Sequence, residues 1–273
     1  MSENHFNKIT LVGAGSVAIH LGLALKHAGF KVENVINRNP ERGKLLAKKL
    51  GAQYLADFST LSNPDLVIIA VSDDAIPLIA DQLAGCSYPV VHTCGTVSKD
   101  VLEITGSDYG VFYPFQTFSV NNAVDFSKVP ICIDASNNVF SKRIELLAQS
   151  LSDTVCNIDD QKRRILHLAG VFASNFSNYL YAIAQDILMK NDIPFELMFP
   201  LIQETALKIQ TTAPLEAQTG PARRGDVSTI QKHLQLLQNE PELLDLYKTF
   251  TNNILKTYSH QTSTAEIQLI EDK

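Results

Sequence analysis

Ile9-Thr10-Leu11-Val12-Gly13-Ala14-Gly15-Ser16-Val17-Ala18 is the stretch that decides the fold. A short, mostly apolar run leads straight into a Gly-x-Gly-x-x-Ala turn, and the turn leads into an amphipathic segment, Val17–Ala28. Strand, glycine turn and helix in that order form the opening of a βαβ unit that binds a dinucleotide. Gly13 permits the tight turn, Gly15 lets the backbone approach a pyrophosphate, and Ala18 keeps the helix close to the sheet. Ser16 and Val17 open the helix, whose N-terminal amides face the anion. The alternative is a tight strand–helix turn of purely structural use. The strand before the turn and the helix after it favour the ligand.

Further along, the pattern repeats. Candidate strands are Ile9–Val12, Val32–Ile36, Gln53–Leu55, Leu66–Val71, Val90–Thr93, Gly110–Tyr113, Ile131–Ile133 and Val155–Ile158. Several are apolar throughout, as expected where helices cover both faces of a sheet. Helical patterns separate them at Val17–Ala28, Pro40–Leu50, Asp74–Leu83 and Val139–Ser150, with Pro40 suited to a first turn and Gly51 to a helix end. The expectation is an α/β fold with a doubly wound, mainly parallel Rossmann sheet over residues 1–157.

From Asp160 to about Asn191 only Gly170 interrupts a helical pattern that would run about 50 Å unbroken. Prolines 194, 200, 214, 221 and 241 cut the rest into shorter helices, read as Phe195–Thr212, Val227–Gln238 and Pro241–Ser259, with the last dozen residues loose. Residues 158–273 are therefore expected to form an all-α domain, the long helix packing on several neighbours or on a second subunit.

The tip of the second strand selects the dinucleotide. An NAD site places Asp or Glu about 20 residues past the glycine loop to hold the ribose 2′-hydroxyl. Here the tip reads Asn37-Arg38-Asn39, without a carboxylate. A guanidinium at Arg38 can bind a 2′-phosphate through charge-assisted bonds, so NADP(H) is expected rather than NAD(H); the competing reading of Arg38 is a solvated surface charge. Parallel sheets bind ligands beyond their carboxyl ends. Val71 and Ser72 after the fourth strand, and Thr93 and Gly95 after the fifth, are accordingly expected at the cofactor. Cys94 and His92 read as packing residues.

Composition narrows the classes. The 273 residues carry Lys+Arg 23 against Asp+Glu 29, a net charge of -6, which disfavours a nucleic-acid partner. No apolar run reaches the roughly 18 residues of a membrane helix, and Met1-Ser2-Glu3-Asn4-His5 lacks the basic head of a signal peptide. The four cysteines are spaced too widely for a CxxC metal or redox pair and are too few for a disulfide scaffold. A cytoplasmic protein without a metal is expected.

Three further segments carry a family resemblance: Tyr113-Pro114-Phe115-Gln116-Thr117-Phe118, Ala173-Ser174-Asn175-Phe176, and Thr219-Gly220-Pro221-Ala222-Arg223-Arg224-Gly225-Asp226, followed by Thr229 and His233. Together they resemble a bacterial family of Rossmann-like NADP oxidoreductases whose C-terminal helical domain is catalogued as a domain of unknown function. That family is related to pyrroline-5-carboxylate reductase and the 6-phosphogluconate dehydrogenase-like superfamily. The resemblance implies an NADP-dependent oxidoreductase with a 6-phosphogluconate dehydrogenase-like helical domain, and a homodimer formed through that domain. Two departures stand out. The family reads His-Pro where this chain has Tyr113-Pro114, and many superfamily members carry Lys four residues before the Asn, where this chain has Val171.

With no lysine at 171, helical spacing proposes another proton carrier. At about 100° per residue His167, Ser174, Asn178, Tyr181 and Gln185 share a stripe, with Asn175 beside it, while Leu166, Ala169, Ala173, Phe176, Leu180 and Ile187 can form a buried face. His167 is the expected general acid, since histidine chemistry suits proton transfer near neutrality. Tyr113 is the rival, or else an aromatic packing residue. Asn175 would orient a carbonyl or carboxamide. Arg223 and Arg224, with Thr229, are candidates for a substrate's anionic group, or solvated charges on a turn that Asp226 caps. The sequence thus reads as an oxidoreductase for a small, anionic carbonyl or imine compound. The alternative, drawn from Val171, is an NADP(H)-binding sensor without catalysis.

Overall fold

The computed structural model describes residues 6–119 and 122–258. Met1–His5, Ser259 and the last dozen residues lie outside that range, with the expectations placed on them.

Eight strands form one sheet: β1 Ile9–Val12, β2 Val32–Ile36, β3 Gln53–Leu55, β4 Leu66–Ile69, β5 Val90–His92, β6 Tyr109–Pro114, β7 Ile131–Ala135 and β8 Val155–Asn157. Their order is β3-β2-β1-β4-β5-β6-β7-β8, parallel throughout except for the β6–β7 pair. The chain winds outward from β1 to β3, then returns to start again at β4 on the other side. The crevice where winding reverses, beyond β1 and β4, is the place such sheets bind ligands.

Alternation along the strands feeds two cores. Ile9 and Leu11 of β1 and Leu66 and Ile68 of β4 join one cluster; Val12, Val67 and Ile69 join the other. The first cluster packs beneath α1 Ser16–His27, α2 Pro40–Leu50 and α4 Asn138–Gln149, through Leu21, Leu46 and Phe140. The second packs beneath α3 Ile76–Gln82 and a 3-10 turn, Lys99–Thr105, through Ile76 and Leu102. Both faces being covered explains why the strands are apolar at consecutive positions.

The long helical segment is helical throughout, but not α throughout. It runs as α5 Asp160–Gly170, a π-helical stretch Val171–Phe176, and α6 Ser177–Met189. The first compact unit ends at Ala182 and the second spans Ile183–Lys273. Division after residue 157, expected from the loss of strand pattern, leaves α5 out of the first unit. The structure includes it, because Arg163 and His167 of α5 bond to Val97 and Tyr113.

The second unit contains α7 Phe199–Lys208, α8 Pro214–Ala217, α9 Pro221–Arg224, α10 Val227–Leu236 and α11 Pro241–Tyr258. Its buried cluster is small: Ala222, Ile230 and Leu255, with Leu234, Tyr247 and Ile254 against them. Phe199, Leu201 and Leu215 are 55%, 61% and 66% exposed, an unusual amount of apolar surface for helices of this length.

Among the described residues no helix is long and apolar enough to cross a membrane, and no group of three or more His, Cys, Asp or Glu could hold a metal ion.

Candidate active site

The glycine loop is built as its sequence requires. Gly13 adopts φ +113°, and a Cβ there would lie 2.1 Å from the carbonyl oxygen of Ala70, so only glycine fits between β1 and β4. A Cβ at Gly15 would meet nothing within 4 Å. No protein atom demands glycine at that position, and its Cα faces open space. Gly15 is also the residue that caps α1.

That space is a cavity of about 690 Å³, a size that suits a cofactor. Gly13, Gly15, Ser16, Val17, Asn37, Arg38, Val71 and Ser72, all expected at the cofactor, line it. Thr93 and Gly95 do not; the Thr93 hydroxyl donates to the Ile69 carbonyl at 3.3 Å. Among the wall residues that the sequence reading did not place at the cofactor are Arg42, Asp57 and Phe58. Arg42 could have been found, because Pro40 already marked a helix start and Arg42 sits on its first turn. The Arg38 turn is fixed on several sides. The Asn39 side chain accepts from the Arg42 backbone amide at 3.0 Å, the Asn37 side-chain Nδ2 donates to the Asn39 backbone carbonyl at 2.8 Å, and the Tyr54 hydroxyl donates to the Asn37 backbone carbonyl at 3.1 Å.

A second group of side chains gathers beyond β4, β5 and β6. Tyr113, ending β6, and His167, on α5, lie 54 residues apart in sequence, and the Tyr113 hydroxyl is 3.1 Å from His167 Nδ1. Gly95 lies under both: a Cβ there would stand 2.7 Å from His167 Nδ1 and 2.9 Å from Tyr113 Cζ. Gly95, expected at the cofactor, thus forms the floor of this pair. Tyr113 also packs edge-on against Phe115, centroids 6.0 Å apart. Burial pushes its phenol up to about 12, leaving it protonated across the physiological range. Nearby, Asp73 accepts from the Thr96 hydroxyl at 2.5 Å. Burial raises the Asp73 carboxyl, but that bond, the Cys94 thiol and the His167 field outweigh it, and the net shift is downward.

Cys94 and His92 are support. Burial raises the Cys94 thiol, and its Sγ accepts from the Thr96 and Val97 amides. His92 Nδ1 accepts from the Cys94 amide at 3.2 Å, which leaves Nε2 to donate to the Ser98 carbonyl at 3.3 Å. Burial, then the Arg163 charge, push His92 down to about 4. A folded pKa below the ordinary 6.5 means that the unfolded chain takes up a proton which the fold refuses. The stability is therefore complete above about pH 6.5 and declines toward pH 4, by about 3 kcal/mol in total. Thermal midpoints measured from pH 7.5 to 4.5 are expected to fall more steeply for the wild type than for His92→Gln. Parallel curves would refute the effect.

The π stretch corrects the expected stripe. Its wider turns rotate everything after Val171 relative to His167. Ser174 is half-buried, whereas Asn178, Tyr181 and Gln185 are exposed, and so is Asn175. On the single chain Ala169, Ala173, Phe176, Leu180 and Ile187, expected to form a buried face, are exposed, and Leu166 is half-buried. Gly170, the residue before the π stretch, sits against the Phe115 ring, 2.9 Å from where its Cβ would be.

In the second unit the Asp226 carboxylate caps α10, accepting from the Thr229 amide at 3.1 Å and its hydroxyl at 2.8 Å. Thr229 is thus engaged by the cap. The Arg223 guanidinium lies 4.1 Å from the Tyr258 ring centroid, and Arg224 ends the short α9.

Comparisons with known proteins agree with this architecture. Residues 129–254 match the family model described as "Domain of unknown function (DUF2520)", and residues 1–89 match that of "Shikimate / quinate 5-dehydrogenase". The crystal structure of "putative NADP oxidoreductase BF3122" from Bacteroides fragilis is 38% identical, with a TM-score of 0.86 over 92% of this chain and 98% of that one. An imine reductase from Myxococcus stipitatus, in complex with NADP+, is 18% identical with a TM-score of 0.66, over 97% and 100% of the chains. A pyrroline-5-carboxylate reductase from Coxiella burnetii is 17% identical with a TM-score of 0.56, over 95% and 99%. These last two share the fold. A glutamyl-tRNA reductase from Sulfolobus acidocaldarius matches at 37% identity over 67 residues, which is 24% of this chain and 16% of that protein.

Proposed function

The chain belongs to the family of Rossmann-like NADP oxidoreductases represented by the Bacteroides fragilis protein, and on that premise we propose that it moves hydride between NADP(H) and a small, anionic carbonyl or imine compound. The observation that carries the reading is the cavity in which the Gly13–Val17 loop meets two guanidinium side chains, Arg38 and Arg42. Its residues fit the cofactor: Gly15 leaves room for a diphosphate, the start of α1 offers amides to it, and the two arginines suit a 2′-phosphate. When bound, the nicotinamide supplies or takes the hydride.

The chain supplies position and a proton. Val71 and Ser72 close the cavity beside the loop, and Thr93 braces the end of β5. The Tyr113–His167 pair carries the proton to or from the substrate heteroatom, so the absence of lysine at 171 leaves proton transfer provided for. That answers the feature on which the sensor reading rested. Asn175 is assigned to orient a carbonyl or carboxamide group. Arg223 and Arg224 keep their assignment to anionic groups on the strength of their charge.

NADPH and NADH titrations by calorimetry test the cofactor assignment. Arg38→Ala and Arg42→Ala are each expected to weaken NADPH by about 10- to 100-fold, the worth of a charge-assisted contact. NADH binding should stay within about threefold, because NADH lacks the phosphate these contacts serve. Equal losses for both nucleotides would defeat the assignment. The reaction class is tested by following NADPH oxidation over a panel of keto acids and imines. Binding without oxidation in either class would refute it.

Two copies are proposed to join through the helical unit, whose buried cluster is small and whose α7 presents Phe199 and Leu201 to solvent. Sedimentation should give about 60 kDa, twice the 30.1 kDa chain, and Leu201→Asp should shift it toward the monomer. A monomeric wild type would contradict this. Cys86, Cys94, Cys132 and Cys156 are free thiols, which supports a cytoplasmic setting.

A further inference from the structure

Arg163 is fully buried on α5, one turn before His167. Its Nη2 donates to the Val97 carbonyl and stands 2.6 Å from the Asp160 carboxylate. Asp160 also accepts from the Ser98 hydroxyl and from the Lys99 amide at 3.3 Å. The first turn of α5 is thereby bolted to the segment after β5, the segment whose Gly95 lies under His167 and Tyr113. Nε and Nη1 of Arg163 are buried without a hydrogen-bond partner among the described residues, so three of its five N–H groups go unmet. A buried ion pair is a poor stabiliser, and apolar residues of similar volume often serve stability as well or better. An arginine kept at such a position, four residues before His167 and so on the same helix face, points to a use for where it holds the helix.

We propose that Arg163 is the positioning residue of the Tyr113–His167 pair: clamped by Asp160 and the Val97 carbonyl, it sets the height and rotation of α5 at which imidazole and phenol meet. The use of that pair rests on the proton-transfer reading above, while the positioning itself stands apart from it. Five groups act on the Tyr113 hydroxyl: Cys132 of β7, Cys94 after β5, Asp73 after β4, and Arg163 and His167 of α5. The two cysteines and Asp73 oppose its ionisation, and Arg163 eases it.

The test needs no substrate. Full-length protein with isotope-labelled histidine is examined by NMR, the His167 ring signals being identified by their loss in His167→Ala. Tyr113→Phe defines the signal of an imidazole without its phenol partner. Arg163→Met is expected to move His167 to the Tyr113→Phe position, with NADPH affinity within threefold of wild type, and Arg163→Lys to restore part of the wild-type signal. A folded Arg163→Met protein with wild-type His167 signals overturns the proposal. Should Arg163→Met fail to fold, Arg163→Lys and Arg163→Gln decide: unchanged His167 signals in both overturn it, and a shift graded with loss of the clamp supports it. Failure to oxidise NADPH with any imine or carbonyl compound would remove the catalytic use of the pair without altering these signals.

Discussion

Replacing Gly13 by alanine is expected to damage the fold and the ligand site together, whereas the same change at Gly15 should spare the fold and weaken only the ligand. At Gly13 the new methyl would press on backbone, 2.1 Å from the Ala70 oxygen, and alanine would also have to hold φ +113°. Neither strain can be relieved by turning a side chain. A loss of at least about 4 kcal/mol follows, which lowers the thermal midpoint by about 8–16 °C in a unit of this size. At Gly15 the methyl would meet no protein atom. The cost to α1 stays within about 1 kcal/mol, the difference between glycine and alanine at a helix cap. NADPH affinity should nevertheless fall at least about tenfold, because the methyl enters the space where backbone and diphosphate come together. Scanning calorimetry and isothermal titration on both variants separate the cases. A Gly15→Ala protein that binds NADPH as tightly as wild type would falsify the placement of the diphosphate.

His167→Ala and Tyr113→Phe are expected to lower turnover by about 10²–10⁴ while NADPH affinity stays within about threefold. The nucleotide cavity and the Tyr113–His167 pair are lined by different residues, so a proton-transfer defect should appear in kcat and leave cofactor binding alone. Two groups joined by one hydrogen bond act as a unit, so the double variant should be about as slow as the worse single variant. Because burial holds the Tyr113 phenol up to about 12, its ionisation should leave no break in the kcat profile between pH 6 and 9. Full turnover in both single variants would remove the pair from the mechanism.

Much of the first unit could be read locally. Each strand was placed to within two residues, and β1, β2 and β3 without error; a strand covered on both faces, such as β4, is apolar at consecutive positions. That the glycine loop and Arg38 line one cavity was legible for the same local reason, since each sits at the carboxyl end of a strand marked by its own residues. Short helical turns were harder. Lys99–Thr105, Pro214–Ala217 and Pro221–Arg224 are too brief to show a period. The π stretch was missed because Val171–Phe176 differs from α-helical sequence in no visible way, and its effect is felt only downstream, in the rotation of Asn178, Tyr181 and Gln185.

The sequence by itself determined the strands, the glycine turn and the guanidinium at the second strand's tip, since each depends on neighbours within a dozen residues. Only the tertiary structure decided that Tyr113 meets His167, that Gly95 makes room beneath them, and that Arg163 anchors the helix bearing the imidazole. Those contacts join segments some 50 to 70 residues apart. They come from the winding of the sheet and the docking of α5 on it, and no spacing along the chain records either.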